Sequence, residues 1–254
     1  MSLYVASLNV NGLRDNKKRT CIFNWLLKQK YSVICLQETH CTENTVEKWK
    51  KEWKKLGGGE STWNFGSSES RGVGVLLSKH FQFNLTETFR DDKGRVISFN
   101  IENDQIKVSF KNIYAPNDGV ERKQFFESLI FNAKDADNFI YDFVCGDFNC
   151  ALDKTIDRYP THTRDDAGLC ELDNLIKTNS LCDVWRILNP GTRRYTFKRN
   201  NSKSRIDFIL ASSSLQSNLS HVKVVHCPFS DHDLVSACIK MNEIQRGPGV
   251  WIMN

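Results

Sequence analysis

The chain has 254 residues, 40% hydrophobic and 26% charged, with a net charge of +5. That balance excludes disordered and collagen-like classes, and the length can bury a core without disulfides. No apolar run approaches the roughly 20 residues of a membrane-spanning helix. Nine cysteines are an odd count at irregular spacing, with no Cys-x-x-Cys pair and no signal peptide ahead of them. They argue against a disulfide framework and against a zinc site, and for a reducing, intracellular compartment.

Taken in chain order, the first apolar run, Leu3 to Val10, predicts a strand and closes on Leu8-Asn9-Val10-Asn11-Gly12. Ile22, Trp25, Leu26 and Leu27 then recur with helical spacing. The run Val33 to Leu36 predicts a second strand, ending in Gln37-Glu38-Thr39. Val46, Trp49, Trp53 and Leu56 mark one face of a helix whose lysines point to water. Strands follow at Gly72 to Leu77, Val96 to Ile101 and Ile106 to Tyr114, the last running into Tyr114-Ala115-Pro116. Phe125, Phe126, Leu129 and Ile130 predict a third helix. A strand over Phe139 to Phe148 carries Gly146-Asp147-Phe148-Asn149. A fourth helix, with Leu169, Leu172, Leu175 and Ile176, follows the polar segment Thr161 to Asp166.

The cations Arg193, Arg194, Lys198, Arg199, Lys203 and Arg205 then occur with no acidic residue among them. The loop Lys198 to Ser204, between expected strands Tyr195 to Phe197 and Arg205 to Leu210, reads as a β-hairpin with a cationic tip. Val222 to Cys227 and Leu234 to Ile239 are the last strands, and Ser230-Asp231-His232 stands just before the final one. Strands outnumber helices and often follow one another directly, which predicts sheets packed face to face with helices outside. No linker, repeat or low-complexity tract divides the chain, so one domain is expected.

The polar clusters gather at strand ends, where a rigid scaffold fixes side-chain geometry. Singly they read as turn or cap chemistry. Together they offer Glu, several Asp and Asn, one Tyr and one His, without a Ser or Cys nucleophile and without a phosphate-cradling Gly-rich loop. Oxygen ligands for a hard cation plus a histidine near carboxylates suit metal-assisted hydrolysis of a phosphodiester.

The motifs Leu8-Asn9-Val10-Asn11-Gly12-Leu13, Gln37-Glu38-Thr39-His40, Ile113-Tyr114-Ala115-Pro116-Asn117, Gly146-Asp147-Phe148-Asn149, Arg205-Ile206-Asp207-Phe208 and Ser230-Asp231-His232 resemble the exonuclease-endonuclease-phosphatase superfamily. Within it the chain is most similar to endonuclease domains of LINE-type (non-LTR) retrotransposons. The markers are Tyr195-Thr196-Phe197, Asp183-Val184-Trp185-Arg186 with Pro190, and the tail Gly247-Pro248-Gly249-Val250-Trp251.

The resemblance implies an α+β fold of the DNase I-like kind, a four-layered sandwich of two mainly antiparallel or mixed sheets flanked by helices. It implies an endonuclease domain over 1–241, with 242–254 starting a linker to a reverse transcriptase. It implies Mg²⁺, or Mn²⁺ in its place, held by Glu38 with Asn9 and Asp231. Asp147 would orient or deprotonate water, aided by Asn149. His232, held by Asp207, would act on phosphate as base or electrophile. Tyr114 would donate to phosphate, and Arg158 and Asn11 would support the site. Thr196, Lys198, Arg199, Asn200, Asn201, Ser202, Lys203, Ser204 and Arg205 would meet double-stranded DNA. A monomer nicking nuclear DNA for target-primed reverse transcription, away from any membrane, completes the expectation.

Two alternatives stand beside it. An abasic-site repair endonuclease would share the chemistry, but enzymes of that kind carry Asp where this chain has Asn11. A catalytically dead DNA-binding module would keep the basic hairpin and lose site residues that are all present here. A secreted deoxyribonuclease would want a signal peptide and paired cysteines.

Overall fold

The computed structural model describes residues 2–241, apart from 82, 104–105, 136–140 and 162. Among the described residues the elements run β1 (Ser2–Asn9), α1 (Asn16–Gln29), β2 (Val33–Gln37), α2 (Glu43–Lys55), β3 (Gly58–Asn64), β4 (Val73–Ser78), β5 (Asn84–Arg90), β6 (Val96–Glu102), β7 (Lys107–Tyr114), α3 (Gly119–Asp135), β8 (Phe143–Asp147), β9 (Arg158–Tyr159), α4 (Leu169–Thr178), β10 (Leu181–Asp183), α5 (Val184–Leu188), β11 (Phe197–Arg199), β12 (Ser202–Ser204), β13 (Asp207–Ser212), β14 (Leu219–Val225) and β15 (Leu234–Lys240). The start of the strand expected from Phe139, and the segment 242–254 expected as a linker, lie outside the described residues.

Two six-stranded sheets carry the fold, in the orders β14-β15-β1-β2-β4-β3 and β10-β13-β8-β7-β6-β5. Each contains one parallel pair, β1/β2 and β7/β8, and is otherwise antiparallel. Both parallel pairs are joined by a crossover helix, as parallel neighbours require. Helices α1 and α2 lay Ile22, Phe23, Leu26, Trp49 and Trp53 on the outer face of the first sheet. Helices α3 and α4 lay Phe126, Leu129, Leu172 and Leu175 on the outer face of the second. The inner faces meet through Val5, Val33, Cys35, Phe99, Phe110, Phe143, Cys145 and Ile209. Phe99, Phe110 and Phe143 occupy one register row across β6, β7 and β8 and stack at 4.9 and 5.0 Å. The expected four-layered sandwich is therefore present, and all nine cysteines are unpaired.

The unexpected strands β3 and β5 lie at sheet edges. Edge strands are commonly polar, which discourages edge-to-edge pairing, and β5 is exposed along almost its whole length. The hairpin also differs from expectation. Its strands β11 and β12 lie inside what was read as loop and close over Asn200-Asn201, with Asn200 in the left-handed region (φ 51°) that asparagine tolerates. β12 also pairs with β9, making a third, small sheet, whereas the residues after Arg205 enter the second large sheet as β13.

A polar seam crosses the apolar interior just below one end of the sandwich. Gln37, at the end of β2, donates to Asn112 Oδ1 on β7 (2.8 Å) and to Ser7 Oγ (3.1 Å). Asn112 Nδ2 donates in turn to the carbonyls of Leu36 (3.0 Å) and Gly74 (2.9 Å) on the opposite sheet. All three side chains are fully buried. Buried amides are bought with hydrogen bonds, and a seam so arranged fixes how the two sheets register. Asn112→Ala strips a partner from Gln37 and from two carbonyls, at about 1–3 kcal/mol for each buried group left unpaired. A loss of roughly 2–4 kcal/mol is expected, a fall of roughly 5–12 °C in melting midpoint by calorimetry; an unchanged midpoint would refute the seam's role.

Candidate active site

Both parallel pairs direct the C-terminal ends of their strands to the same end of the sandwich. Asn9 ends β1, Glu38 follows β2, Tyr114 ends β7 and Asp147 ends β8. The antiparallel neighbours arrive from the other direction. Asp207 opens β13 opposite Asp147 in register, and His232 stands two residues before β15. Residues from six separated segments thus meet because of strand direction.

Local chemistry shapes each exit. Asn9 and Asp147 each accept, through Oδ1, the backbone N–H two residues on, from Asn11 (2.9 Å) and Asn149 (2.8 Å). Asn11 and Asn149 both take left-handed conformations, as does Glu38. Asn-type side chains satisfy their own backbone in this way, and strained backbone of this kind clusters at functional sites. Before Asp147, Gly146 is required by close approach, since a Cβ there would lie 2.0 Å from the Ile113 carbonyl oxygen.

The centre is a bridge between the sheets. The Asn9 amide donates to Glu38 Oε2 (3.1 Å) and to Asp147 Oδ2 (2.9 Å). Tyr114 Oη donates to Glu38 Oε1 at 3.1 Å. Burial, with the charges of Glu38 and Asp147, pushes the Tyr114 phenol up, so it stays a donor. His232 places Nδ1 at 2.9 and 3.1 Å from the two Asp207 oxygens and Nε2 at 3.9 Å from Asp147 Oδ2. Burial alone would lower the imidazole, but the charge and hydrogen bond of Asp207, with Asp147 and Asp231, raise it to about 10. Asp147 is pushed up to about 7, first by burial and then by the nearby Asp207 charge.

The remaining expected residues divide. Asn11 donates its side-chain amide to Asp231 Oδ1 (3.1 Å), so both lie at the rim. Asn149 donates to the Ala115 carbonyl, 2.9 Å away. Arg158 pairs with Asp166 and with Ser204 Oγ, bracing the small sheet. Of the nine residues expected on DNA, three are buried. Thr196 is buried, its hydroxyl accepting from the N–H groups of Ile206 and Asp207 while its carbonyl accepts from Asp233 N–H. It ties the segments carrying Asp207 and His232 together. Ser204 is buried beneath Arg158. Arg205 is buried too, held by Asp157 (2.7 and 2.8 Å) and Asp183 (2.6 Å), because a desolvated guanidinium must be paired. Lys198, Arg199, Asn200, Asn201, Ser202 and Lys203 remain exposed.

Three contributors escaped the sequence reading. Lys18 Nζ donates to the Asn11 carbonyl at 2.6 Å, Ser230 Oγ donates to the Asn9 carbonyl at 2.7 Å, and Arg95 lies over the Tyr114 ring at 5.1 Å. Lys18 and Arg95 sit in stretches without a motif. Ser230 could have been singled out from Ser230-Asp231-His232.

Glu38, Asp147, Asp207 and Asp231 converge here with His232 and Lys18 as the nearest cations. That surplus of negative charge fits a divalent cation, with Glu38 and Asp231 offering oxygens of the hard type such ions prefer, while the Asn9 oxygen accepts from Asn11 N–H. Asp147, Asp207 and His232 also lie within 4.8 Å of one another. His232 is occupied with Asp207, however, and a protonated imidazole has no lone pair for a metal.

A sequence profile of the endonuclease/exonuclease/phosphatase family matches residues 6–232. The chain is 35% identical over 240 residues, 93% of its length, to the transposon TX1 uncharacterized 149 kDa protein of Xenopus laevis, and spans 18% of that protein. In solved structures it is similar to the AP endonuclease LMAP from Leishmania major, at TM-score 0.73 and 17% identity, over 94% of this chain and 88% of that one. It is also similar to the endonuclease domain of TRAS1, a telomere-specific non-LTR retrotransposon, at TM-score 0.68 and 15% identity, over 96% of this chain and 100% of that one.

A raised imidazole makes a direct test. Its folded value of about 10 lies above the ordinary 6.5, so the Asp207–His232 contribution to stability is full below pH 6.5 and is lost as pH rises through about 10. In chelator, imidazole-detected NMR should show His232 protonated at pH 8; a midpoint near 6.5 would break the ion pair as described.

Proposed function

Because the chain belongs to the endonuclease/exonuclease/phosphatase family, we propose that it is a DNA endonuclease, dependent on Mg²⁺ with Mn²⁺ as substitute, that nicks one strand. The nick leaves a 3′-hydroxyl from which a reverse transcriptase of the same polyprotein primes synthesis. The observation that carries this reading is the Asn9 amide joining Glu38 to Asp147 beside the Asp207–His232 pair. Support for a retrotransposon setting is the 35% identity to a transposon protein of which the chain spans 18%. On this reading residues 1–241 are the endonuclease part of a longer polyprotein acting on nuclear DNA.

The chain's own groups divide the work. Glu38, Asn9 and Asp231 would hold the cation, which when bound supplies charge neutralisation for a phosphate under attack. Asp147, already costly to ionise in its buried place, orients the attacking water and takes its proton. Asn149 holds the turn that aims it. His232 is the electrophile of the site. Kept protonated by Asp207, it presents Nε2–H to a non-bridging phosphate oxygen, where charge develops. Tyr114, neutral, donates its one O–H to Glu38 and so steadies that carboxylate from the second sheet. Arg158 supports the small sheet, and the exposed hairpin residues Lys198 to Lys203 contact DNA, cations on phosphate and asparagines on base edges.

An abasic-site endonuclease is the second reading, drawing on the likeness to LMAP. Asn11 weighs against it. Its amide donates to Asp231, and the aspartate of repair enzymes would instead set two carboxylates against each other.

Supercoiled plasmid incubated with Mg²⁺ should relax to the nicked circle with 3′-hydroxyl ends, and EDTA should stop it. Asp147→Ala and His232→Ala should each lower nicking by roughly 10²–10⁴-fold, the usual worth of positioned proton transfer, while circular dichroism stays native; near-normal nicking would remove either residue from its role. Preferred cutting of an abasic duplex over an intact one would favour the second reading. Deleting Asn200-Asn201 should move the nick positions and leave the end chemistry alone, so an unaltered nick map would exclude the hairpin tip from target choice.

A further inference from the structure

The small third sheet presents two unlike faces, and only one belongs to the site already described. Cross-strand partners point to the same side of a sheet. Register places Arg158, Ser204 and Phe197 in one row and Tyr159, Lys203 and Lys198 in the next. The first row faces inward. Ser204 is buried, Arg158 donates to its hydroxyl, and the Phe197 ring lies 4.7 Å from the His232 imidazole. The second row therefore faces out. Tyr159 is 52% exposed, a large aromatic left in water. Lys203 Nζ lies 5.8 Å from its ring centre. Lys198, half exposed, reaches Asp233, the residue after His232, at 3.3 Å.

At the ordinary spacing between strands the row is about 10 Å long. It leads from an open aromatic face, over two lysines, to the residue beside the imidazole. Asp233, buried, pairs with His226 and with Lys198 and so offsets that lysine, while Lys203 makes no ion pair among the described residues. Exposed tyrosines alone are unremarkable. A tyrosine in register with two cations beside a phosphodiesterase site has the makings of a nucleic-acid strand contact, in which bases stack on aromatic rings and lysines hold phosphates.

We propose that Tyr159 is a stacking platform for an unpaired nucleobase of the DNA substrate, with Lys203 and Lys198 on the phosphates beside it. The proposal rests on the reading that DNA is the substrate. It goes further by stating which DNA binds best. In a continuous duplex each base is covered on both faces by its neighbours. A flat ring on the protein surface finds a free partner only where the stack is interrupted, and opening costs least at an unpaired or weakly stacked base. Tyr159 thus selects locally distorted duplex, at a distance from the residues that cut.

The test is binding in chelator, so that no cutting occurs. Fluorescence anisotropy compares a duplex carrying one unpaired 2-aminopurine with its fully paired counterpart, and 2-aminopurine emission reports stacking. The chain should prefer the unpaired duplex and quench its emission. Tyr159→Ala should lose roughly tenfold on that duplex, the scale of one base–aromatic stack, and little on the paired one, while Tyr159→Trp should restore both preference and quenching. Lys203→Gln should weaken both duplexes alike and lower the salt dependence by about one phosphate contact. Equal binding of both duplexes by the unaltered chain, or a Tyr159→Ala variant that keeps the preference, would overturn the platform. Plasmid nicking with Mg²⁺ keeps the two readings apart. A chain that does not nick but shows the Tyr159-dependent preference fails as a nuclease and keeps the platform, and the reverse result fails the platform alone.

Discussion

A site shared between two sheets exists only while those sheets hold one register. Asn9 and Glu38 belong to the first sheet, Tyr114, Asp147 and Asp207 to the second, and apolar side chains between them could slide past one another at little cost. The Gln37–Asn112 seam cannot. Its hydrogen bonds are directional, it is fully buried, and Gln37 precedes Glu38 in the chain while Asn112 stands two residues before Tyr114. The same residues that lock the layers thereby aim the donors and acceptors above them. The Asn9 amide, bonded to one carboxylate from each sheet, completes the lock at the surface.

Above that seam the fold concentrates charge that a stability-optimised protein would disperse. Asp147 is buried beside Asp207, and both effects disfavour its ionised form. Its pKa of about 7 in place of 3.8 means that folding loses stability as pH rises between those values, a cost the rest of the molecule must carry. Asp207 pairs with His232 at 2.9 Å, and the pair keeps the imidazole protonated. A carboxylate costly to ionise beside an imidazole held protonated fits the division of labour proposed above for phosphodiester hydrolysis.

Much of this was legible in the sequence because strand ends and motif positions coincide. The clusters around Asn9, Glu38, Tyr114, Asp147 and His232 each close or precede an apolar run, so their meeting required only that the runs be strands of one sandwich. What stayed hidden has a common cause. Edge strand β5 lacks an apolar alternation because it is exposed along almost its whole length, and β3 carries a single large apolar residue, Trp63. Thr196, Ser204 and Arg205 sit in a basic, polar stretch that reads as surface, yet Asp157, Asp183 and Arg158 hold Ser204 and Arg205 in the interior, and the N–H groups of Ile206, Asp207 and Asp233 hold Thr196 there. Composition reports what a side chain is, while burial depends on partners brought in from 20 to 50 residues away. Arg95 and Lys18 were invisible for the same reason.

Strand β1 runs in register against β15, with Ser2 opposite Lys240, at the end of the sandwich remote from Asn9. The two ends of the folded body are therefore neighbours, and both point away from the edge where phosphate would sit. The Asn9 end of the sandwich is thereby left free of both ends of the described body.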